Sequence, residues 1–588
     1  MNNAEVAAVL VEIGVLLELK GENPFKSRAY ATAARIIETL PESLGMVIGE
    51  ERLRQIPGIG EALQEKITQL VTTGRLPYHE ELKASIPAGL LDLLQIRGLG
   101  PKKVRKVHQE LGVATVDEME QACRDGRIAA LDGFGLKSQA GILEAIAFRR
   151  QFASKHLLFT ALAAAEPLLE VLRGHPSVVR CSTAGSLRRW KEIIGDVDLL
   201  ASSQDPAAVM GEFVSQEGIH SVIAQGETKA SVILSGGIQA DLRVVSDTEF
   251  PFALAYFTGS KEHNIVMRQR AIARGLRLNE YGLFRSSEET RDPALRLPCR
   301  TEQEIFEALD LPYIEPELRE DHGEFEAAGD GVPAARLVEW TDLKGSLHNH
   351  TNWSDGTDTI DDAAKVADHA GCAYWAITDH SQASFQASGL SDERVRAQIA
   401  AIAVANQKLA DSGSALHLFA GTEVDVLKSR LDFDDDLLCQ LDVVVASLHV
   451  AGSNEADNTQ RLIRAAENPF VHMLGHLTGR LLLDRPAYPV NQHAVIDACA
   501  ATGTWIELNA NPHRFDMDWR LWQYARSKGV KCAINCDAHR PEHLGFLRLG
   551  AGIARKGGLT KADVVNTLPL EALKKALAMK RTRHGCAR

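Results

Sequence analysis

Along residues 1 to about 150, apolar positions recur at helical spacing and the gaps between them are short and glycine-bearing, which predicts helix after helix with few strands. The opening stretch MNNAEVAAVLVEIGVLLELKGE has its apolar run broken by Glu12 and Glu18 and no basic leader, so an amphipathic helix is expected rather than a signal peptide. From about residue 178 the pattern changes to β-branched runs, SVVRCSTAG, DVDLLAS, ASVILSGG and QADLRVV, and mixed α/β character continues to about Leu311. The segment 315–337 is charged, turn-rich and nearly devoid of large apolar residues, and is expected to be a linker, with its core at 319–337. Beyond it seven apolar segments recur: KGSLHNH, AYWAITDH, LHLFAGTEV, DVVVASLH, VHMLGH, TWIELNA and KCAINCDAH. The stretches between them are long enough for helices, and repeated strand-then-helix units predict a parallel α/β barrel with its site at the C-terminal ends of the strands. Six of the seven segments end in, or just before, His or Glu.

Composition narrows this picture. At 588 residues and roughly 150 per domain, three to five domains are expected. With 45% hydrophobic and 24% charged residues, a mostly disordered chain is excluded. The net charge of −13 argues against a uniformly basic nucleic-acid binder, though a local basic patch is compatible with it. No uncharged apolar run reaches the ~18 residues of a membrane span. The nine cysteines lack CxxC spacing, which gives no support to a disulfide framework or a thiolate zinc site, and a cytoplasmic protein is expected. Histidine is the asymmetric residue: seven of 20 precede residue 338 and 13 follow it.

IPGIGEALQEKI (56–67) and IRGLGPKKVRKV (96–107) share the pattern apolar-x-Gly-apolar-Gly followed by a helix. Gly58 and Gly60, and again Gly98 and Gly100, permit a tight turn after which the helix start points free N–H groups outward, a geometry suited to a backbone phosphate. Such a turn also serves as a plain helix C-cap. Two copies, one with Arg97, Lys102, Lys103, Arg105 and Lys106, favour phosphate, and LDGFGLKSQAGI (131–142) is a weaker third copy. These are identified as helix-hairpin-helix (HhH) motifs, implying sequence-independent DNA contact. Their spacing resembles the N-terminal lyase and fingers subdomains of family X DNA polymerases, the polymerase beta-like group. That resemblance implies that Lys66 is the Schiff-base lysine of a deoxyribose-phosphate lyase and that Lys26, in NPFKSRAY, binds a 5′-phosphate. A second family lysine is Ala62 here, which counts against full lyase activity, and a solvated helix lysine is the competing reading of Lys66.

In AGSLRRWKEIIGDVDLLAS (184–202), Asp196 and Asp198 are two apart on a predicted strand and project from one face. Paired carboxylates beside a Gly-Ser turn are costly to bury unless two divalent ions, Mg²⁺ or Mn²⁺, compensate them. Asp241, with Arg243 on the same face, fits as the third carboxylate. Gly185-Ser186 with a following D-x-D resembles the nucleotidyltransferases, and YFTGSKEHNIVMR (256–268) narrows the resemblance to family X. By resemblance Ser186 and Arg189 hold a dNTP triphosphate, Tyr256 and Phe257 line the sugar side, Asn264 meets the base, and Gly195 and Gly259 belong to the nucleotide-binding set. Arg243 and Arg268 would contact DNA.

The last third offers His348, His350, Asp355, His380, Glu423, His449, His476, Asp537 and His539, each at or just after a strand-like segment. Nine ligand-type side chains converging on one rim point to a metal centre with mixed N/O donors, suited to Zn²⁺ or Mn²⁺. The order H-x-H, D, H, E, H, H, D-x-H resembles the polymerase and histidinol phosphatase (PHP) family. It implies a distorted (β/α)7 barrel and three ions: one on His348, His350, Glu423 and Asp537, a second shared by Glu423 with His449 and His476, a third on Asp355, His380 and His539. Asn511 and Arg514 resemble substrate-side residues.

Together the halves resemble bacterial and archaeal family X polymerases with a PHP domain. The implied fold is multidomain α/β: lyase-like domain 1–88, fingers 89–150, α+β nucleotidyltransferase palm 151–250, thumb 251–318, linker 319–337, PHP barrel 338–578 and basic tail 579–588. The implied activity is filling of gapped or nicked DNA from dNTPs by a monomer, with a 3′→5′ exonuclease that also has AP endonuclease or 3′-phosphatase potential. The alternatives are a DNA-end-binding scaffold with only the phosphoesterase active, and a small-molecule phosphoesterase with a DNA-binding appendage.

Overall fold

The computed structural model describes all residues except 2, 39, 41, 153, 288–291, 330–335 and 584–588. They form two compact units, 1–153 and 154–588.

The first unit is helical, as the spacing predicts. Leu10, Ile13 and Leu16 of helix Asn3–Lys20 share its core with Ile67, Leu93, Val104 and Val107 of later helices. Local signals set the boundaries. Pro101 opens helix Pro101–Leu111 and Gly112 closes it in the left-handed conformation, while Thr115 and Glu118 form a capping box for Val116–Arg124.

The second unit begins with a mixed five-stranded sheet in the order Val178–Thr183, Asp196–Ser203, Gln239–Val245, Lys229–Leu234, Ile219–Gln225. Four of these strands are the β-branched runs; the edge strand Ile219–Gln225 carried no comparable signal because its side chains are largely solvated. Helices Phe250–Thr258, Lys261–Ala273 and Glu302–Ala308 and the hairpin 276–285 follow.

The expected linker is folded over the part that is described. Arg319 is fully buried and donates to Glu302 Oε1 (2.6 Å) and the Ile314 carbonyl (2.9 Å). Glu324, also buried, accepts from His263 Nδ1 (2.9 Å). The charges that read as solvated are consumed in buried ion pairs, a distinction composition cannot make; residues 330–335 lie outside the described ones.

Seven parallel strands then run in chain order from Gly345–Ser346 to Cys532–Asn535, one for each apolar segment. A parallel bridge between Asn349 and Ala538, with His350 N–H donating to the Ala538 carbonyl (2.8 Å), brings the first strand to the last and closes a (β/α)7 barrel. The basic tail begins later than expected. Helix Leu570–Arg583 continues through residue 579, and Lys580 is buried with its Nζ donating to Thr504 Oγ1 (2.6 Å) and the Ala466 carbonyl (3.1 Å). The sheet at 178–245 and the barrel share one continuous apolar core. Among the described residues no helix is long and apolar enough to cross a membrane.

Candidate functional site

Strand Asp196–Ser203 pairs in parallel with Gln239–Val245, and the register sets Asp198 opposite Asp241. Alternation buries Val197 and leaves Asp196 and Asp198 together on the other face. Gly185 explains how the preceding turn reaches them: at φ +56°, an added Cβ would lie 2.0 Å from Asp198 Oδ2, so only glycine lets the Gly185–Ser186 backbone pass over the carboxylate. Burial, then the charges of Asp196 and Asp241, push the Asp198 carboxyl up to about 6. Carboxylates gathered this closely are a donor set whose repulsion a divalent cation would compensate. Asp241 goes the other way. Burial would raise it, but donation from Gln239 Nε2 (2.9 Å) and the ammonium of Lys229 (2.9 Å) hold it below its ordinary value. Lys229 belonged to no motif and only the strand pairing brings it there.

Ser186 sits half-buried in that turn, and Gly195 precedes Asp196 where a Cβ would crowd Lys155 Nζ at 2.9 Å. Arg189 is tied rather than free: its Nε donates to Glu320 (3.0 Å) and its Nη1 to the Thr258 carbonyl (2.7 Å). Tyr256 and Phe257 meet edge to face at 5.2 Å, and the Arg243 guanidinium lies 4.6 Å over the Phe257 ring. Asn264 donates to the carbonyls of Tyr256 (2.7 Å) and Gly259 (3.2 Å), so its amide closes the turn between the two helices. A Cβ at Gly259 would sit 2.6 Å from Asn264 Oδ1. Arg268 is exposed.

In the barrel, all nine predicted ligands gather at the C-terminal ends of the strands. Glu423 is the hub: five imidazole nitrogens, from His348, His350, His380, His449 and His476, lie 2.7–3.6 Å from its oxygens. Yet both Glu423 oxygens, His348 Nε2, both His350 nitrogens and His380 Nδ1 are buried without hydrogen-bond geometry. Lone pairs converging at such distances without hydrogen bonds are what a set of divalent-ion ligands looks like. The donor atoms draw together in three groups: His348, His350 and Glu423; His380, Glu423 and His449; and His350, Asp355, His380 and His539. His350 and His380 therefore each belong to two groups, whereas the family resemblance gave each of them to one. Asp537 Oδ1 approaches His350 Nε2 at 3.2 Å, and His476 Nε2 approaches Glu423 at 2.9 Å.

A supporting layer escaped sequence reading. Glu507, fully buried, accepts from His348 Nδ1 (2.7 Å), Asn535 Nδ2 (3.0 Å), His476 N (2.7 Å) and Asn509 Nδ2 (3.2 Å). Asp425 accepts from His449 Nδ1 (2.8 Å). Each carboxylate fixes a tautomer that turns Nε2 toward Glu423. The signals were present, as Glu507 in the one segment without an assigned ligand and as the E-x-D of TEVD. Arg514 Nε lies 3.8 Å from Asp537, while Asn511 spends its Oδ1 on the backbone N–H of His513 (3.0 Å).

In the helical unit, Gly58, Gly98 and Gly133 all adopt φ between +82° and +91°. Each is followed two residues on by an extended N-cap glycine, Gly60, Gly100 and Gly135. The weak third repeat thus has the same backbone as the other two. Around Gly98 and Gly100 an added Cβ would meet nothing within 4 Å, so packing does not call for glycine at either position; at Gly98 the positive φ does. Of the basic residues here, Lys102 is exposed, whereas Arg105 packs against Gly21 and Lys106 bonds the Asp132 carbonyl (2.6 Å). Lys26 and Lys66 meet over one ring: their Nζ atoms lie 5.7 and 5.0 Å from the centroid of Tyr78, which stacks on Tyr30.

Comparison with known proteins extends the likeness along the chain. Residues 1–76 match the profile of a helix-hairpin-helix domain and 90–147 that of a SAM-like helix-hairpin-helix tandem. Residues 253–320 match the DNA polymerase beta thumb, and 346–509 the PHP domain. The DNA polymerase/3′-5′ exonuclease PolX of Bacillus subtilis (strain 168) is 36% identical over 576 residues, covering 97% of this chain and 98% of that protein. DNA polymerase lambda of Rattus norvegicus is 26% identical over 54% of the chain and 56% of its own length. The Arabidopsis thaliana polymerase lambda is 24% identical over 50% and 58%. A likeness that runs from the hairpins through the thumb to the barrel leaves one assignment: the chain belongs to the family X DNA polymerases that carry a PHP domain.

Proposed function

We propose that this chain is a DNA-directed DNA polymerase that fills short gaps in DNA, and that its barrel is a 3′→5′ exonuclease working on the same ends. For the polymerase the supporting observation is the placement of Asp196, Asp198 and Asp241 on one sheet face under the Gly185 turn. Those three carboxylates would hold two Mg²⁺ or Mn²⁺ ions, which when bound neutralise the charge of the transferring phosphates. Ser186, Gly195 and Arg189 would hold the triphosphate of a dNTP, with Tyr256, Phe257 and Gly259 beside its sugar and Asn264 maintaining the turn beneath them. Arg243 and Arg268 would steady the DNA strands. The hairpin backbones at Gly58, Gly60, Gly98 and Gly100, with Lys102 and Lys103, would grip phosphates without reading sequence.

In the barrel, His348, His350, Asp355, His380, Glu423, His449, His476, Asp537 and His539 would hold three ions, Zn²⁺ or Mn²⁺, that supply charge neutralisation and an activated water for phosphodiester cleavage. Glu507 and Asp425 keep the imidazole lone pairs aimed inward, and Arg514 stands beside Asp537 where a phosphate would enter. We infer a monomer that binds gapped or nicked DNA. The meeting of Lys26 and Lys66 over Tyr78 supports 5′-phosphate binding there, with Lys66 the candidate for lyase chemistry.

The test is one gapped substrate with a labelled primer, with and without dNTPs. Asp198→Ala should stop extension and keep 3′ trimming; His348→Ala with His350→Ala should do the reverse. Extension by the first variant, or Mn²⁺-dependent trimming by the second, would contradict the corresponding assignment.

A further inference from the structure

The dipeptide Arg189–Trp190 closes the short helix Gly185–Arg188 that begins at the Gly185–Ser186 turn, and the barrel holds it in place. Trp190 has φ +54°, a strained conformation for a bulky side chain that persists only where its surroundings fix it. Its ring lies on helix Phe546–Lys556 at Gly552, where an added Cβ would come 2.2 Å from the ring. One helical turn further, on the same face of that helix, stands Lys556. Its side chain is fully buried, and Nζ donates to the Arg189 carbonyl (2.9 Å), to Glu320 Oε1 (2.7 Å) and to the Glu317 carbonyl (3.3 Å). The same Glu320 oxygen accepts from Arg189 Nε.

Arg189 is therefore anchored at its carbonyl, at Nε by Glu320 and at Nη1 by the Thr258 carbonyl, and among the described residues its Nη2 makes no hydrogen bond. The charge count matters as much as the anchoring. Arg189 and Glu320 alone would form a neutral pair; Lys556 adds a second cation to that carboxylate, while the nearby Glu192 carboxylate is paired with Arg480 (3.5 Å) and Arg520 (3.6 Å).

We propose that Lys556, a residue of the PHP barrel, is a positioning residue of the polymerase reaction: it holds Arg189 oriented, and its charge uncancelled, for the phosphates of the incoming nucleoside triphosphate. This rests on the reading of Arg189 as a triphosphate ligand. The barrel is then a structural part of the polymerase site as well as a second enzyme. A preorganised guanidinium favours nucleotide binding without touching the reacting atoms, so its loss falls on KM and spares kcat.

The experiment uses the full-length chain and steady-state insertion of one dNTP into a one-nucleotide gap. Lys556→Met keeps the length and removes the charge; Gly552→Ala displaces the Trp190 ring and leaves every charge in place. Both are expected to raise the dNTP KM about tenfold with kcat within about twofold, while affinity for the gapped DNA is unchanged. Lys556→Met added to Arg189→Ala should raise KM no further than Arg189→Ala alone. If Arg189→Ala raises KM while Lys556→Met and Gly552→Ala do not, or if the effects multiply in the double variant, the proposal is overturned. If Arg189→Ala itself leaves KM unchanged, the reading of Arg189 fails and the role of Lys556 falls with it. Should Lys556→Met not fold, Gly552→Ala decides the question by the same KM comparison.

Discussion

Glu507→Gln isolates the support of the barrel centre from its ligands, because the side chain keeps its shape and changes only its hydrogen-bond chemistry. All four partners of the carboxylate are donors, two on each oxygen: His348 Nδ1 and Asn535 Nδ2 on Oε1, His476 N and Asn509 Nδ2 on Oε2. A glutamine must turn its NH₂ toward one of these pairs. Facing Oε2's partners, it opposes the backbone N–H of His476, which cannot turn. Facing Oε1's partners, it forces His348 to move its proton to Nε2, the atom that faces Glu423. Asn535 offers no escape, since its Oδ1 already accepts from Leu347 N (2.8 Å). Either way at least one buried donor loses its acceptor, at about 1–3 kcal/mol, and in the second orientation His348 also holds the wrong tautomer for a metal ligand. Removing such an orienting partner costs roughly 10- to 100-fold in metal affinity. Competition with a chromophoric chelator for Zn²⁺ or Mn²⁺ measures this, 3′ trimming gives the consequence, and gap filling by the same sample shows that the chain is folded. The reasoning fails if Glu507→Gln binds metal and trims 3′ ends within twofold of the parent.

Glu302 is buried between Arg319 and Arg188, whose guanidiniums donate to it at 2.6–2.9 Å. Burial alone would raise its carboxyl, but the two arginines outweigh it and bring the value down to about 2. A depressed carboxylate contributes stability that is complete above its unfolded value of 4.5 and is lost as pH falls through about 2; the loss amounts to about 3 kcal/mol. In chemical denaturation, Glu302→Gln should be about 3–5 kcal/mol less stable at neutral pH, and its deficit should shrink between pH 4.5 and 2; a constant deficit over that window would exclude the linkage. Lys102→Ala with Lys103→Ala should weaken binding to all duplex sequences alike and lower the magnitude of the log K against log salt slope by about 2, and an unaltered slope would place these lysines off the DNA. Exhaustive dialysis against a chelator should abolish both activities, with Mg²⁺ or Mn²⁺ alone restoring gap filling; polymerisation without added metal would refute the three-aspartate centre.

The readable parts of the chain were those governed by local rules. Apolar periodicity located the seven barrel strands, and the Gly-x-Gly hairpins and the D-x-D pair stood out as candidate phosphate and cation sites because glycine conformation and strand alternation act within a few residues. The fate of charge was not readable. Segment 315–329 looked like a solvated linker, yet Arg319, Glu317 and Glu324 are buried; Lys580 looked like a tail residue, yet it donates into the barrel. A charged side chain declares itself solvated or buried only through partners distant in sequence, such as Glu302 for Arg319 or His263 for Glu324.

The same division runs through the sites. The sequence by itself picked out the carboxylates and imidazoles that the structure gathers, because such side chains in strand register have few other uses. Only the tertiary structure decided what holds them: Glu507 behind His348, Lys229 beside Asp241, and Lys556 reaching from the barrel to Arg189 across 367 residues. Such supports need only a charge or a donor at the right place in space, and that place is set by packing rather than by any pattern along the chain.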